Sequence, residues 1–230
     1  GNVQSDSPNN AGGGMYLNNS SPNLHSVSII NNSAVYGGGV ACYYSSPHMV
    51  NFEIRGNSSQ QGGGIYCNLD SNPIIEHSLI TQNSCSGAGG GFCSKRSEGG
   101  GGTLNNVIIT DNTASYGGGV SCPILSSPVL QNVLIANNSA NYGGGINLVQ
   151  DSNAILRNVT ITGNQANISG GGVFIKLGSQ PSMIDCIVYD NTSQEIYFAD
   201  QVYDWEEYNT ITISYSDLKL GEDEIVVGDH

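Results

Sequence analysis

Residues 117–142 read GGGVSCPILSSPVLQNVLIANNSANY. After the glycine triplet, Val120, Ser121 and Cys122 alternate between two faces, as the residues of a short strand do. Pro123 to Ser127 supply turn residues. Val129 to Ile135 provides one or two further strands, Asn137-Asn138-Ser139 turns the chain, and Ala140-Asn141-Tyr142 leads into the next triplet at Gly143. The same unit recurs along the chain. Triplets begin at Gly12, Gly37, Gly62, Gly89, Gly117, Gly143 and Gly170, spaced by 25, 25, 27, 28, 26 and 27 residues. A near-constant period of this size marks a solenoid. Its β-branched segments of period two, separated by turns, are strands rather than helices. Three short strands in each repeat make an all-β, parallel β-helix of about seven to eight coils, rising about 4.8 Å per coil.

Stacking the repeats defines columns. Inward positions are held by Met15, Val40, Ile65, Phe92, Val120, Ile146 and Val173, and two residues later by Leu17, Cys42, Cys67, Ser94, Cys122, Leu148 and Ile175. A third column runs from Val27 and Phe52 to Cys186, and a fourth from Ile29 and Ile54 to Val188. Asparagine fills one turn slot throughout: Asn32, Asn57, Asn83, Asn112, Asn138, Asn164 and Asn191. A turn asparagine bonds local backbone, and stacked on its equivalents it bonds the coils on either side. This is a structural ladder, without catalytic work. The glycines mark a corner where stacked backbones leave no room for side chains. A phosphate-cradling loop needs a helix N-terminus after the glycines, and a strand follows them here.

The formal charge of −13, with six basic residues, excludes a nucleic-acid binder. No apolar run is long enough to span a membrane. The first residue is Gly1, with neither initiator Met nor signal peptide, as in a processed form or an excised piece. The acids are unevenly placed: residues 185–230 hold 12 of the 19 carboxylates. The reading is one domain, with repeats over 1–192 and an irregular acidic coil or cap over 193–230.

The repeat Gly-Gly-Gly-[Val/Ile]-x-[Cys/Leu], then Ser-Pro-x-Leu-x-Asn-Val-x-Ile-x-x-Asn-x-Ala, resembles the right-handed parallel β-helix repeat proteins of bacterial surfaces. These form part of the broad pectin-lyase-like superfamily. Similar repeats occur in polymorphic outer-membrane proteins and adhesin passenger domains. The resemblance covers about residues 10–192, and Ile211 to Leu218 also resembles the terminal coils of secreted members. It implies a single-stranded right-handed helix and says little of function. Family lyases use an Asp/Glu cluster that binds calcium, with an Arg or Lys base; family hydrolases use several Asp on neighbouring coils. Neither set maps here. Glu53, Asp70, Glu76, Asp111 and Asp151 are scattered, and Arg55, Arg96 and Arg157 lie on separate coils. His25, His48 and His77 occupy different slots and read as lone surface histidines. The expectation is therefore an extracellular or cell-surface structural protein, a stalk, adhesin or filament subunit, without catalytic activity. The alternative is a non-catalytic carbohydrate-binding or degenerate polysaccharide-lyase-like module. A third reading is an active lyase, with its site in the insertions at 84–102 or in the acidic tail.

Several residues are candidates for more than scaffold. Asp200, Asp204, Glu206 and Glu207 form an oxygen-rich stretch that is a candidate calcium site, although no calcium-loop spacing is present; no other cofactor is expected. Cys42, Cys67, Cys122 and Cys186 lie inward as free thiols, whereas Cys85 and Cys93 flank the fourth triplet and are a candidate disulfide. Leu79, Ile108 and Leu134 point outward on consecutive coils, beside Thr81, Thr110 and Ala136, as a candidate lateral interface. Tyr36, Tyr116 and Tyr142 share the slot before the glycines and can form a row that stacks on sugar rings. Unpaired backbone edges at the two ends favour head-to-tail association. The expected partners are thus further copies of the chain, end to end or side by side, and carbohydrate.

Overall fold

The computed structural model describes residues 10–97, 100–199, 208–218 and the strand Ile225–Val227. Every strand pairing among them is parallel, and each strand joins its equivalent one coil away. Three long sheets result. The first follows the glycines and stacks nine strands, from Met15–Asn18 to Ile225–Val227. The second stacks eight, from Asn23–His25 to Thr212–Ser214, and the third stacks eight, from Ser28–Ile30 to Asp217–Leu218. Two-stranded patches at the corner before the glycines, such as Ser139–Tyr142 beside Gln165–Ser169, complete the coil. The chain is a parallel β-helix.

Strand length follows from where the backbone must bend. The run Val129 to Ile135 divides into two strands, Val129–Gln131 and Leu134–Ala136. Asn132 between them is left-handed, with φ 53°. The same slot is left-handed on each coil, through Ser26, Asn51, His77, Asn106, Asn158 and Asp185. Asparagine and aspartate accept this conformation more readily than most residues. Each three-residue strand of the second sheet sends one side chain inward. Met49, Ile75, Leu104, Leu130, Leu156 and Met183 make a further core column beside those read from the sequence. The core is continuous along the rod, from Ile29 to Phe198.

The three glycines act for different reasons. Gly117 has φ +65° and would press a Cβ onto the carbonyl of Val120. Gly118 lies under the next coil, where a Cβ would meet Gly144 O and Ser139 O at 2.6 Å. At Gly119 a Cβ would meet Gly145 O at 2.7 Å and the amide of Asn138 at 3.1 Å.

That amide belongs to a ladder. Asn112 N and Nδ2 both donate to Asn138 Oδ1 at 3.0 Å, and Nδ2 also donates to Ile80 O at 3.0 Å. Asn57, Asn83, Asn138 and Asn164 repeat the arrangement, with Asn32 at its outer end. The ladder ends at Asn191 through a residue the sequence reading passed over. Ser193-Gln194-Glu195 stands where a triplet would. Val173 N donates to Glu195 O as Ile146 N does to Gly172 O, and Ser193 takes the left-handed first place with φ 95°. The carboxylate of Glu195, 1% exposed, accepts from the backbone N and the Nδ2 of Asn191. It replaces the Oδ1 that the next asparagine would offer.

A second ladder holds the opposite corner. Ser45 N donates to Ser71 Oγ, Ser126 N to Ser152 Oγ, and Ser152 N to Ser179 Oγ, at 3.1–3.3 Å. These serines are all buried, and of them the sequence reading touched only Ser126, as part of a turn. The sheets also continue past residue 192. Ile196–Phe198, Thr212–Ser214 and Asp217–Leu218 each add a strand, so regular coil extends into the segment expected to be irregular.

Candidate functional site

The strands after the glycines place alternate residues on the outer face of the first sheet, where two open volumes adjoin. One, of about 630 Å³, is bounded by Tyr116, Tyr142, Phe174, Tyr197, Asn147 and Lys176, among others. The other, of about 310 Å³, lies towards Gln61, Ala88 and Lys95. They share Tyr116, Asn147 and Val149, so they form one groove along the rod axis. Its wall is aromatic. Tyr116 and Tyr142 stack with ring centroids 5.6 Å apart and planes 6° apart, and Phe174 and Tyr197 stack at 5.8 Å and 14°. Tyr142 meets Phe174 edge-on at 5.3 Å. Stacking follows from register, since equivalent positions on adjacent coils sit one sheet spacing apart.

Asn147 lies in the floor. It is 1% exposed and donates through Nδ2 to Ser121 Oγ at 3.0 Å, but its Oδ1 has no partner. A buried acceptor left unpaired costs about 1–3 kcal/mol. Lys95 and Lys176 also line the groove, and no Asp or Glu does so among the described residues. The site can therefore stack flat rings and offer two ammonium groups.

Of the tyrosine row read from the sequence, Tyr116 and Tyr142 come together and Tyr36 does not. Gln61 and Ala88 hold that slot on the coils between. Tyr36 packs on Tyr66 at 5.4 Å, within a separate cluster that includes Tyr43 and Ala41. Tyr43 and Tyr66 are buried there, 7% and 2% exposed, and that burial pushes their phenols well above their usual range. Phe174, Tyr197 and Asn147 were missed because they belong to a different slot from the tyrosines. Their signal was the outward position one residue after the aliphatic that follows each triplet.

The other candidates fall elsewhere. The asparagines of the ladder lie at an inner corner. Leu79, Ile108 and Leu134 are in register on the outer face of the third sheet, with Ile108 44% and Leu134 36% exposed. Asp200, Asp204, Glu206 and Glu207 lie outside the described residues, and no group of three or more metal-ligating side chains occurs among those described. The expected disulfide is corrected: Cys85 and Cys93 are both free, as are the other four cysteines. Cys85 sits on the corner patch with its thiol directed at Gln60 O and Ala88 O, whereas Cys93 lies on the first sheet against Tyr66. The histidines are not all solitary either. His48 Nε2 bonds Glu76 Oε2 at 2.8 Å, and the ring of His25 lies 6.3 Å from that of His48.

A family described as a right handed beta helix region matches residues 79–219, more than half of the chain. No curated protein and no solved structure gives a significant match.

Proposed function

This chain belongs to the right handed beta helix family, and from that premise we propose that it is an extracellular, non-catalytic rod of the surface-adhesin kind, holding carbohydrate in its aromatic groove. The observation that carries this reading is the stacked pair Tyr116 and Tyr142 on the wall of a groove that Asn147 also lines. A sugar offers an apolar ring face to such a wall. Glycoside hydrolysis needs a pair of carboxylates flanking the bond, and the described lining supplies none.

The test is retention on insoluble polysaccharides and a glycan array, followed by titration of the best ligand. Tyr116→Ala or Tyr142→Ala should each weaken binding about tenfold, the loss of one stacking platform. No reducing ends or unsaturated products should be released. The reading fails if no glycan is retained, if binding ignores both substitutions, or if the ligand is cleaved.

A further inference from the structure

The aromatic groove has a closed end. On the outer face of the first sheet one column runs in register from Tyr66 through Cys93, Ser121 and Asn147 to Phe174 and Tyr197. At Tyr66 the two sides of that face meet. Tyr36 reaches Tyr66 from the corner before the glycines, with ring centroids 5.4 Å apart, and Tyr43 reaches it from the far end of its strand, at 5.9 Å. Both Tyr43 and Tyr66 are buried, so the three rings fill the face from side to side. From the next coil on, Ala88, Cys93, Ser121 and Pro123 put small side chains where those rings stood, and the volume of about 310 Å³ opens there. The groove stops against the tyrosines instead of passing along the whole rod.

The closed end also carries a charge. Lys95 lines it with Gln61 and Ala88, and Lys176 lines the part beside Phe174. The two lysines stand in one column, separated by Pro123 and Val149, so three coils, about 14 Å, lie between them. Neither has an ion pair among the described residues. Two of the six basic residues thus line one groove, on a chain of formal charge −13. An ammonium without a partner favours a carboxylate over a hydroxyl, because a charge-assisted hydrogen bond is about twice as strong as a neutral one.

We infer that the groove takes the end of a glycan chain whose terminal sugar carries a carboxylate, held by Lys95 against the tyrosine wall, with the following sugars stacked along Tyr116 and Tyr142. The inference rests on the carbohydrate reading above and narrows it from any sugar with a flat face to an acidic chain end. From the level of Lys95 to that of Tyr197 is four coils, about 19 Å. A short oligosaccharide fills that length, and the rest of the chain stays outside.

The test is an array of oligosaccharides ending in glucuronic, galacturonic or N-acetylneuraminic acid. Each stands beside a counterpart with the carboxyl reduced to an alcohol, and beside a longer chain in which the same acid is internal only. At least one terminal acid should bind the full chain about tenfold or more tighter than both of its counterparts. Lys95→Gln should erase the preference over the reduced counterpart while leaving the circular dichroism spectrum and the binding of that counterpart unchanged. Internal acids bound as well as terminal ones, reduced sugars bound as well as acids, or a preference that survives Lys95→Gln each overturn the proposal. In those cases a glycan is still bound, and the broader reading stands. Retention of no glycan at all removes that reading and this one together.

Discussion

Asn112 shows how one residue type sustains the stack. Its Oδ1 accepts from the backbone N and the Nδ2 of Asn83, while its own N and Nδ2 donate onward to Asn138. All of these atoms are buried, so none has water as a substitute. Asn112→Ala removes the acceptor from two donors of Asn83 and the donor from Ile80 O. We expect a loss of about 3 kcal/mol in denaturant unfolding, as several buried groups lose partners together. Asn32, half-buried at the ladder's outer end, should cost less when replaced by Ala. The asparagine column was readable because it repeats at a fixed slot. Glu195 was not, since it occurs once and its role comes from the neighbour it reaches.

Among elements, the strands are two to five residues long and hold together by stacking rather than by length. Side chains 25–29 residues apart in sequence become neighbours, as His48 and Glu76 do across adjacent coils. The hydrogen bond from His48, helped by one from Asn105, holds the Glu76 carboxyl below the usual carboxylate range. The sign follows from linkage. A depressed carboxylate pKa stabilises the fold at pH values above the unfolded-state value, near 4.3, and that contribution is lost as pH falls through the folded value. The pair is partly exposed, so the contribution is below about 1 kcal/mol. NMR titration of the side-chain carboxyl should show the Glu76 pKa rising towards the ordinary range in His48→Ala. No change would remove His48 as the cause. The pairing was hidden in the sequence because the two residues occupy opposite ends of their strands and meet diagonally, outside any single column.

For the whole molecule, the stacked coils leave all six thiols buried and free. Burial pushes the Cys122 thiol up to about 12 and raises those of Cys67, Cys85, Cys93 and Cys186. A thiol reacts as its thiolate, so the native protein should be almost inert to an aromatic disulfide reagent. All six thiols should react after unfolding in denaturant without reductant. Four reactive thiols would mean that Cys85 and Cys93 are bonded after all.

The period of the glycine triplets, the inward aliphatic columns and the asparagine slot follow from the sequence by itself. Each is a local pattern repeated with a fixed phase, and such repetition has only one economical packing. The groove, the serine ladder and the Glu195 cap were decided by the tertiary structure. Each joins residues from different slots or different coils, and their meeting depends on the twist and the register of the stacked sheets. Tyr116 and Tyr142 stood in one column from the start; Phe174 and Tyr197 joined them only when the coils stacked.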